Sequence, residues 1–315
     1  MNAELLNLLR CPKCRGRLRF DETNPTLICE REGDVFPVVG NVPRLSGETY
    51  VESFGRQWNR YDVARDEEDE ATFEVKTGVH PRDLAGKLVL DAGCGGGRYA
   101  ALAGRFGATL LGLDLSSAVD KAASLCQTNP NVLIAQADLL NIPAATEVFD
   151  LVFSIGVLHH SPDPRHAFAE VAARVKPGGT LAVWLYRKNT PPQESINQAL
   201  RAITTRIPPR LLELLGAGLG VLGSVPLLKQ SLNKVANFSN HPDWTLRVCD
   251  NFDWYAPKYQ SHHSIEELQS WFREEGFEDI KVLSPAKSGT VYDWAYRHNL
   301  IIGSGVNVRG RKPLR

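Results

Sequence analysis

The stretch VLDAGCGGGRYA, residues 89–100, constrains the fold of this chain more than any other. Apolar Val89 and Leu90 run into Asp91, three glycines follow at alternate positions (Gly93, Gly95, Gly97), and Arg98–Phe106 has a helical pattern. The loop therefore lies between a buried strand and a helix N-terminus, the turn where an open α/β sheet binds nucleotides. Glycine there lets the backbone approach a ligand and tolerates positive φ. The dinucleotide fingerprint G-x-G-x-x-G/A fails at Arg98, and no lysine follows to make a P-loop. A dinucleotide, a phosphate group or another ribose-bearing ligand remains open at this point.

The following chain alternates strand and helix. Continuous apolar runs at Lys87–Asp91, Thr109–Asp114, Asn131–Ala135, Phe149–Ile155 and Thr180–Tyr186 predict buried parallel strands. Helices are expected between them, for instance Pro164–Val175 with Asp163 as N-cap and Pro177-Gly178-Gly179 after it. This predicts a doubly wound α/β sheet. Asp114 ends the second strand, 23 residues beyond Asp91 (114 − 91), where an acid accepts ribose hydroxyls. Asp138 follows the third strand and is placed to take an adenine amine. Acids at three successive strand ends, with no Lys or Arg aimed at a pyrophosphate, suit a nucleoside without phosphates. S-adenosylmethionine, whose sulfonium is a cation, is such a ligand. Beyond a helical, proline-rich region at 190–260, Ser264-Ile265-Glu266-Glu267 forms a capping box for a helix to Glu275, stopped by Gly276. Two β runs, Phe277–Leu283 and Val291–Ile302, are expected to complete the sheet.

The ordered motifs VLDAGCGGGRYA, LLGLDLS, IAQADLLNIP, FDLVFSIGVLHH and VKPGGTLAVWLY resemble those of the class I S-adenosylmethionine-dependent methyltransferases, over roughly residues 87–190. The resemblance implies a seven-stranded Rossmann-like sheet with an antiparallel last strand, and the cofactor S-adenosylmethionine. SFGRQWNRY, NFDWYAPKY and VRGRKP are similar to bacterial small-molecule-type members carrying a short N-terminal zinc-ribbon-like segment. Carried over, Gly93, Gly95 and Gly97 pass under the methionine moiety. Asp114 holds the ribose, and Asp138 with Leu139 the adenine. Asp91 and Leu115 belong to the same cofactor set. Ser154 and Ile155 open the methyl-transfer side, and Gln57 and Trp58, with Phe54, form a lid. His159 and His160, after the fourth strand, are the candidate general bases. Asp253, Trp254, Tyr255, Tyr259, His262 and His263 are candidates for the acceptor pocket. The adenine-methylating signature D/N-P-P-Y/F is absent after strand four. The expected reaction is methyl transfer to an O, N or C nucleophile of a small molecule. An RNA or protein methyltransferase docking through its N-terminal segment, and a non-enzymatic S-adenosylmethionine-binding module, are the alternatives.

Residues 1–45 form a separate unit. Cys11-Pro12-Lys13-Cys14 is a CxxC knuckle, followed by short β runs at Arg17–Phe20, Thr26–Cys29 and Val35–Val39 and a Gly40-Asn41 turn. The segment resembles the small zinc-ribbon (Trm112-like) proteins that partner methyltransferases, fused here in cis. Glu32 stands where a fourth cysteine is expected, so the candidate zinc ligands are Cys11, Cys14, Cys29 and Glu32. Cys94, Cys126 and Cys249 are assigned to packing. The expected divisions are 1–45, a connector and lid at 46–86, the cofactor-binding core at 87–190, a helical insertion forming the acceptor region at 191–263, and the end of the sheet at 264–315.

Lys and Arg total 36, as do Asp and Glu, so no global charge favours nucleic acid. The opening MNAELLNLLRCPKC lacks a signal peptide's basic start and apolar core. Leu214–Leu228 is shorter than the ~20 apolar residues of a span, and serves as a lid, a membrane contact or a packed hairpin. Six scattered cysteines fit a reducing compartment, hence the cytoplasm. The basic tail Arg309–Arg315 is expected to be a frayed end or an anion site. Nothing in the sequence fixes an oligomeric state.

Overall fold

Local signals shape the first 45 residues. Asn2 caps helix α1 (Ala3–Leu6), its side chain accepting from the Glu4 and Leu5 amides. Strands β1 (Leu18–Asp21) and β2 (Thr26–Cys29) pair antiparallel around a turn in which Asp21 accepts from the Thr23 amide at 3.0 Å. β3 (Val35–Val39) pairs with β2, then reverses into β4 (Val42–Pro43) through Gly40 and Asn41 at φ +59° and +64°. Two successive left-handed residues are what a tight hairpin turn of matching twist requires. The computed structural model describes residues 2–47, 49–51, 55, 66–188, 190–222, 239, 243–285, 288–298, 300 and 305–314.

The expected parallel strands form β5 (Leu88–Ala92), β6 (Thr109–Asp114), β7 (Val132–Gln136), β8 (Phe149–Ile155) and β9 (Val175–Tyr186). With β10 (Glu278–Val282) and β11 (Gly305–Arg311) they make a seven-stranded sheet of order β10-β11-β9-β8-β5-β6-β7. β5 to β9 pair in parallel, and β11 runs antiparallel between β9 and β10. The order reverses at β5, so a crevice opens where its chain and that of β8 leave in opposite directions.

Helices α2 (Asp66–Thr77), α3 (Arg98–Arg105), α4 (Val119–Cys126) and α5 (Pro164–Ala172) accompany the parallel strands. Asp163 caps α5, accepting from the His166 amide at 2.9 Å. α5 ends three residues earlier than expected because Val175 already pairs with Phe149, and the Pro177-Gly178-Gly179 run lies inside β9. Helices α6 (Pro191–Thr204), α7 (Pro209–Leu222) and α8 (Trp244–Tyr255) follow, then α9 (Ile265–Glu274) with the Ser264–Glu267 capping box formed in both directions.

Two expectations near the C-terminus are corrected. Val291–Arg297 is helix α10, not a strand: Thr290 caps it by accepting from the Asp293 amide, and Arg297 pairs with Asp293 one turn away at 2.8 Å. The last strand is instead β11, inside the basic tail. Val306, Val308 and Gly310 alternate inward and the arginines outward, while Lys312 exchanges backbone hydrogen bonds with the Gly178-Gly179 bend. The start of that tail, Arg309–Arg311, is thus paired interior strand rather than a frayed end.

The core on one face of the sheet gathers Phe73, Leu84, Tyr99, Leu102 and Phe153. The core on the other is continuous with the N-terminal unit: Leu5, Leu9, Cys11 and Leu27 share it with Leu111, Leu133, Ile142 and Phe168. Each such leucine contributes roughly 1.5–3 kcal/mol by leaving water. The Leu45 amide donates to Gln136 and the Arg10 amide to Pro143, both at 2.9 Å, so the N-terminal unit covers the edge strand β7. Among the described residues no helix is long and apolar enough to cross a membrane.

Candidate active site

β5 ends at Asp91-Ala92, and the chain turns through Gly93, Gly95 and Gly97 at φ +96°, +50° and +87°. These conformations strain any L side chain. A Cβ on Gly93 would stand 2.3 Å from Val157, and one on Gly97 2.7 Å from Ala122 Cα. At the end of β6, the Asp114 carboxylate accepts from the Gly95 amide (2.9 Å) and from the Ser116 amide (2.8 Å) and hydroxyl (2.6 Å). Burial raises its pKa, against these three hydrogen bonds. Asp138, after β7, accepts from the Leu140 amide at 2.9 Å and from the Tyr50 hydroxyl at 3.3 Å.

A cavity of about 230 Å³ opens over these strand ends, walled by the glycine loop, Asp114, Leu115, Leu139 and Ile155. Asp91, 2% exposed, lies outside the lining; its Oδ2 has no hydrogen-bond partner among the described residues. Burial, then the Asp114 charge, holds its carboxyl well above the usual range. Asp138 also stands behind the lining. Ser154 is fully buried and donates to the Ala92 carbonyl at 2.7 Å, tying β8 to β5 instead of facing the cavity. Gln57, Trp58 and Phe54, the expected lid, lie outside the described residues; Tyr50 and Val51 of the same connector do line the cavity. The set fits an S-adenosyl nucleoside: a hydroxyl-accepting carboxylate, an orphaned buried carboxylate oxygen and apolar flanks. Arg98, also in the wall, is occupied by Asp69 at 3.4 Å and the Tyr99 hydroxyl at 2.8 Å.

The far end of the cavity holds chemistry of another kind. His160 lines it; its Nδ1 lies 3.1 Å from the Tyr259 carbonyl. A carbonyl only accepts, so Nδ1 carries the proton and Nε2 the lone pair, 3.8 Å from Asp253 Oδ2. Burial lowers the His160 pKa to about 3, so its ring is neutral at physiological pH. His159 is fully buried behind the wall. It stacks on Tyr186 at 4.0 Å, accepts from the Tyr186 amide, and is kept neutral by desolvation. Of the two histidines, only His160 faces the cavity. Asp253 joins it, accepting from the Tyr186 hydroxyl. Tyr255 instead bonds Asn197, His262 contacts Glu194 and His263 contacts Glu267, all outside the lining.

Lys76, Trp184 and Tyr186 complete this end and were missed in the sequence. Trp184 and Tyr186 carried a signal, since positions two apart at the end of a parallel strand share a face and point at the switch-point crevice. Lys76 carried none: it sits on the polar helix α2. Its Nζ stands 4.3 Å over the Trp184 ring.

In the N-terminal unit, the thiols of Cys11, Cys14 and Cys29 lie within 4.8 Å of one another. The Glu32 amide, donating to Cys29 Sγ at 3.4 Å, leads in holding that thiol below its ordinary pKa. Three converging sulfurs fit zinc. The Glu32 carboxylate is not among them; its side chain is 52% exposed and paired with Arg31 at 3.4 Å. Cys94 and Cys126 are buried in the sheet's core, and the Cys249 side chain lies outside the described set.

Comparison with known proteins follows these two halves. Residues 90–183 match the family model described as a methyltransferase domain, and residues 2–41 the one described as Trm112p-like protein. A ubiquinone biosynthesis O-methyltransferase of Pseudomonas fluorescens is 33% identical over 129 residues, 40% of this chain and 56% of that protein. Its namesake in Coxiella burnetii is 38% identical over 102 residues, 31% of this chain and 43% of that protein. The chain thus spans about half the length of these curated relatives. A solved S-adenosylmethionine-dependent methyltransferase from Mesorhizobium loti is 20% identical, with a TM-score of 0.43, covering 73% of this chain and 92% of that one. This chain therefore joins a segment that matches the Trm112p-like model to one that matches the methyltransferase-domain model.

Proposed function

We propose that this protein transfers a methyl group from S-adenosylmethionine to a nucleophilic atom of a small-molecule acceptor. One observation carries the reading: a single cavity is lined both by the glycine loop with Asp114 and by His160, Asp253 and Tyr186. The bound cofactor supplies a methyl group on a cationic sulfur, open to in-line displacement. Asp114 would accept the ribose hydroxyls, Leu115 and Leu139 flank the adenine with Asp138 behind them, and the glycine backbone carries the methionine end. The wall opposite would orient the acceptor and exclude water; alignment of this kind supplies roughly 7–11 kcal/mol where the geometry is good. Resemblance to proteins named O-methyltransferases supports oxygen as the attacking atom. The free thiols fit a reducing compartment such as the cytoplasm.

Calorimetric titration with S-adenosylmethionine and S-adenosylhomocysteine tests this. One nucleoside should bind per chain, and Asp114→Ala should weaken it roughly ten- to a hundredfold, as expected for losing hydrogen bonds to a charged group. If neither nucleoside binds at saturating concentration, the methyltransferase reading fails.

A further inference from the structure

The proton that must leave a hydroxyl acceptor needs a destination, and His160 is poorly matched to it. Buried and held neutral, its ring has little affinity for a proton. We propose that Lys76 takes that proton, and that the acceptor accordingly carries an acidic hydroxyl, a phenol or an enol. This rests on the methyltransferase reading and names the substrate class within it.

Geometry makes the case. Lys76 reaches from α2 into the cavity wall, where its Nζ lies over the Trp184 ring, which in turn packs edge-on against Tyr186 at 5.5 Å. Among the described residues no hydrogen bond or ion pair holds the Lys76 amine, whereas Arg98 is held by Asp69 and the Tyr99 hydroxyl. A partly buried amine that lies over a ring face with no hydrogen bond among the described residues is a group placed to meet a ligand. The charged groups acting on it are Arg98, Asp250 and Asp69, with His159 behind the wall. Burial first and Arg98 second lower its pKa to about 7, against the two carboxylates, so the free amine is accessible at neutral pH.

Charge logic selects the acceptor. An ammonium beside a sulfonium in a low-dielectric cavity is repulsive. An amine that takes the acceptor's proton gains an oxyanion for a partner instead. In the balanced step, the hydroxyl proton passes to Nζ and the oxygen lone pair forms the new bond to the methyl carbon. The carbon–sulfur pair leaves on sulfur as a neutral thioether, and the ammonium remains over Trp184. An alkyl alcohol holds its proton too tightly for such a base, and an amine acceptor attacks with its own lone pair. The aromatic walls suit a planar ring.

The test uses 4-nitrophenol, whose anion absorbs in the visible, titrated into the full-length protein saturated with S-adenosylhomocysteine. Wild type should stabilise bound nitrophenolate, lowering the probe's apparent pKa by about one unit, a tenfold shift. Lys76→Met and Lys76→Gln, each first shown to bind S-adenosylhomocysteine as wild type does, should lose that shift. No nitrophenolate enhancement in wild type at saturating probe overturns the proposal, as does an equal shift in either variant. Failure to bind S-adenosylhomocysteine at all would instead sink the methyltransferase reading, so the two failures are distinguishable.

Discussion

At the scale of single residues, the cofactor end stores unfavourable electrostatics in a way that can be measured. Asp91 is buried with one carboxylate oxygen lacking a partner, and its folded pKa is raised by burial. For an acid raised on folding, the native state binds more protons than the unfolded chain between the two values. Stability therefore falls as pH climbs from the ordinary aspartate range through the raised value. Asp91→Asn removes this loss. The variant should melt close to wild type in acid and a few degrees above it at neutral pH, while binding S-adenosylhomocysteine more weakly. Parallel melting curves at every pH would show that the Asp91 carboxyl titrates alike in the folded and unfolded chain, and that burial does not raise it. This residue was legible because its strand-end position is written in the apolar run before it. Lys76 was not, because a charged residue on a polar helix looks like any solvated one until a tertiary neighbour, here Trp184, is placed against it.

Elements were read well where their signals were local. The Asp163 cap and the Ser264–Glu267 box both formed as predicted, and removing a cap costs about 1 kcal/mol. Ser264→Ala should lower the unfolding free energy by that amount without touching nucleoside affinity. Gly97→Ala should do more. The glycine sits at φ +87° immediately before α3, and its new Cβ would meet Ala122 Cα at 2.7 Å. Backbone strain and overpacking, roughly 1–3 kcal/mol each, add there, so both stability and nucleoside binding should fall. A chemical denaturation series on the two variants separates a cap from a site glycine. The exchange of strand and helix at the C-terminus shows what local reading lacks. VYDWAYR is rich in β-formers, yet Thr290 and the Asp293–Arg297 pair favour a helix. Meanwhile GVNVRGR alternates clearly, but its arginines disguise it as a tail. Its place is fixed by a distant partner, β9, whose Trp184 Nε1 would lie 1.7 Å from a Cβ on Gly305.

At the scale of the whole molecule, the cysteine cluster and the cofactor cavity belong to one mechanical unit. Cys11 sits in the same core as Leu111, Leu133 and Phe168, and Arg15 ties the knuckle to Glu170 at 3.1 Å and to the Ile142 carbonyl. From the last strand of that unit the chain passes to Tyr50, which reaches Asp138 and stacks edge-on to Tyr259, the residue whose carbonyl fixes the His160 tautomer. Binding a metal at the three thiols favours the folded state by mass action, and a shared core transmits that gain to the sheet. Zinc added to metal-stripped protein should therefore raise the melting temperature of the whole chain in one cooperative transition. Cys29→Ser should abolish the rise and Glu32→Gln should leave it intact, since the Glu32 carboxylate points to solvent. Two separate transitions, with only the smaller moved by zinc, would mean that the N-terminal unit folds independently and that the shared core carries little coupling. Loss of the zinc effect in Glu32→Gln would instead make that carboxylate the fourth ligand.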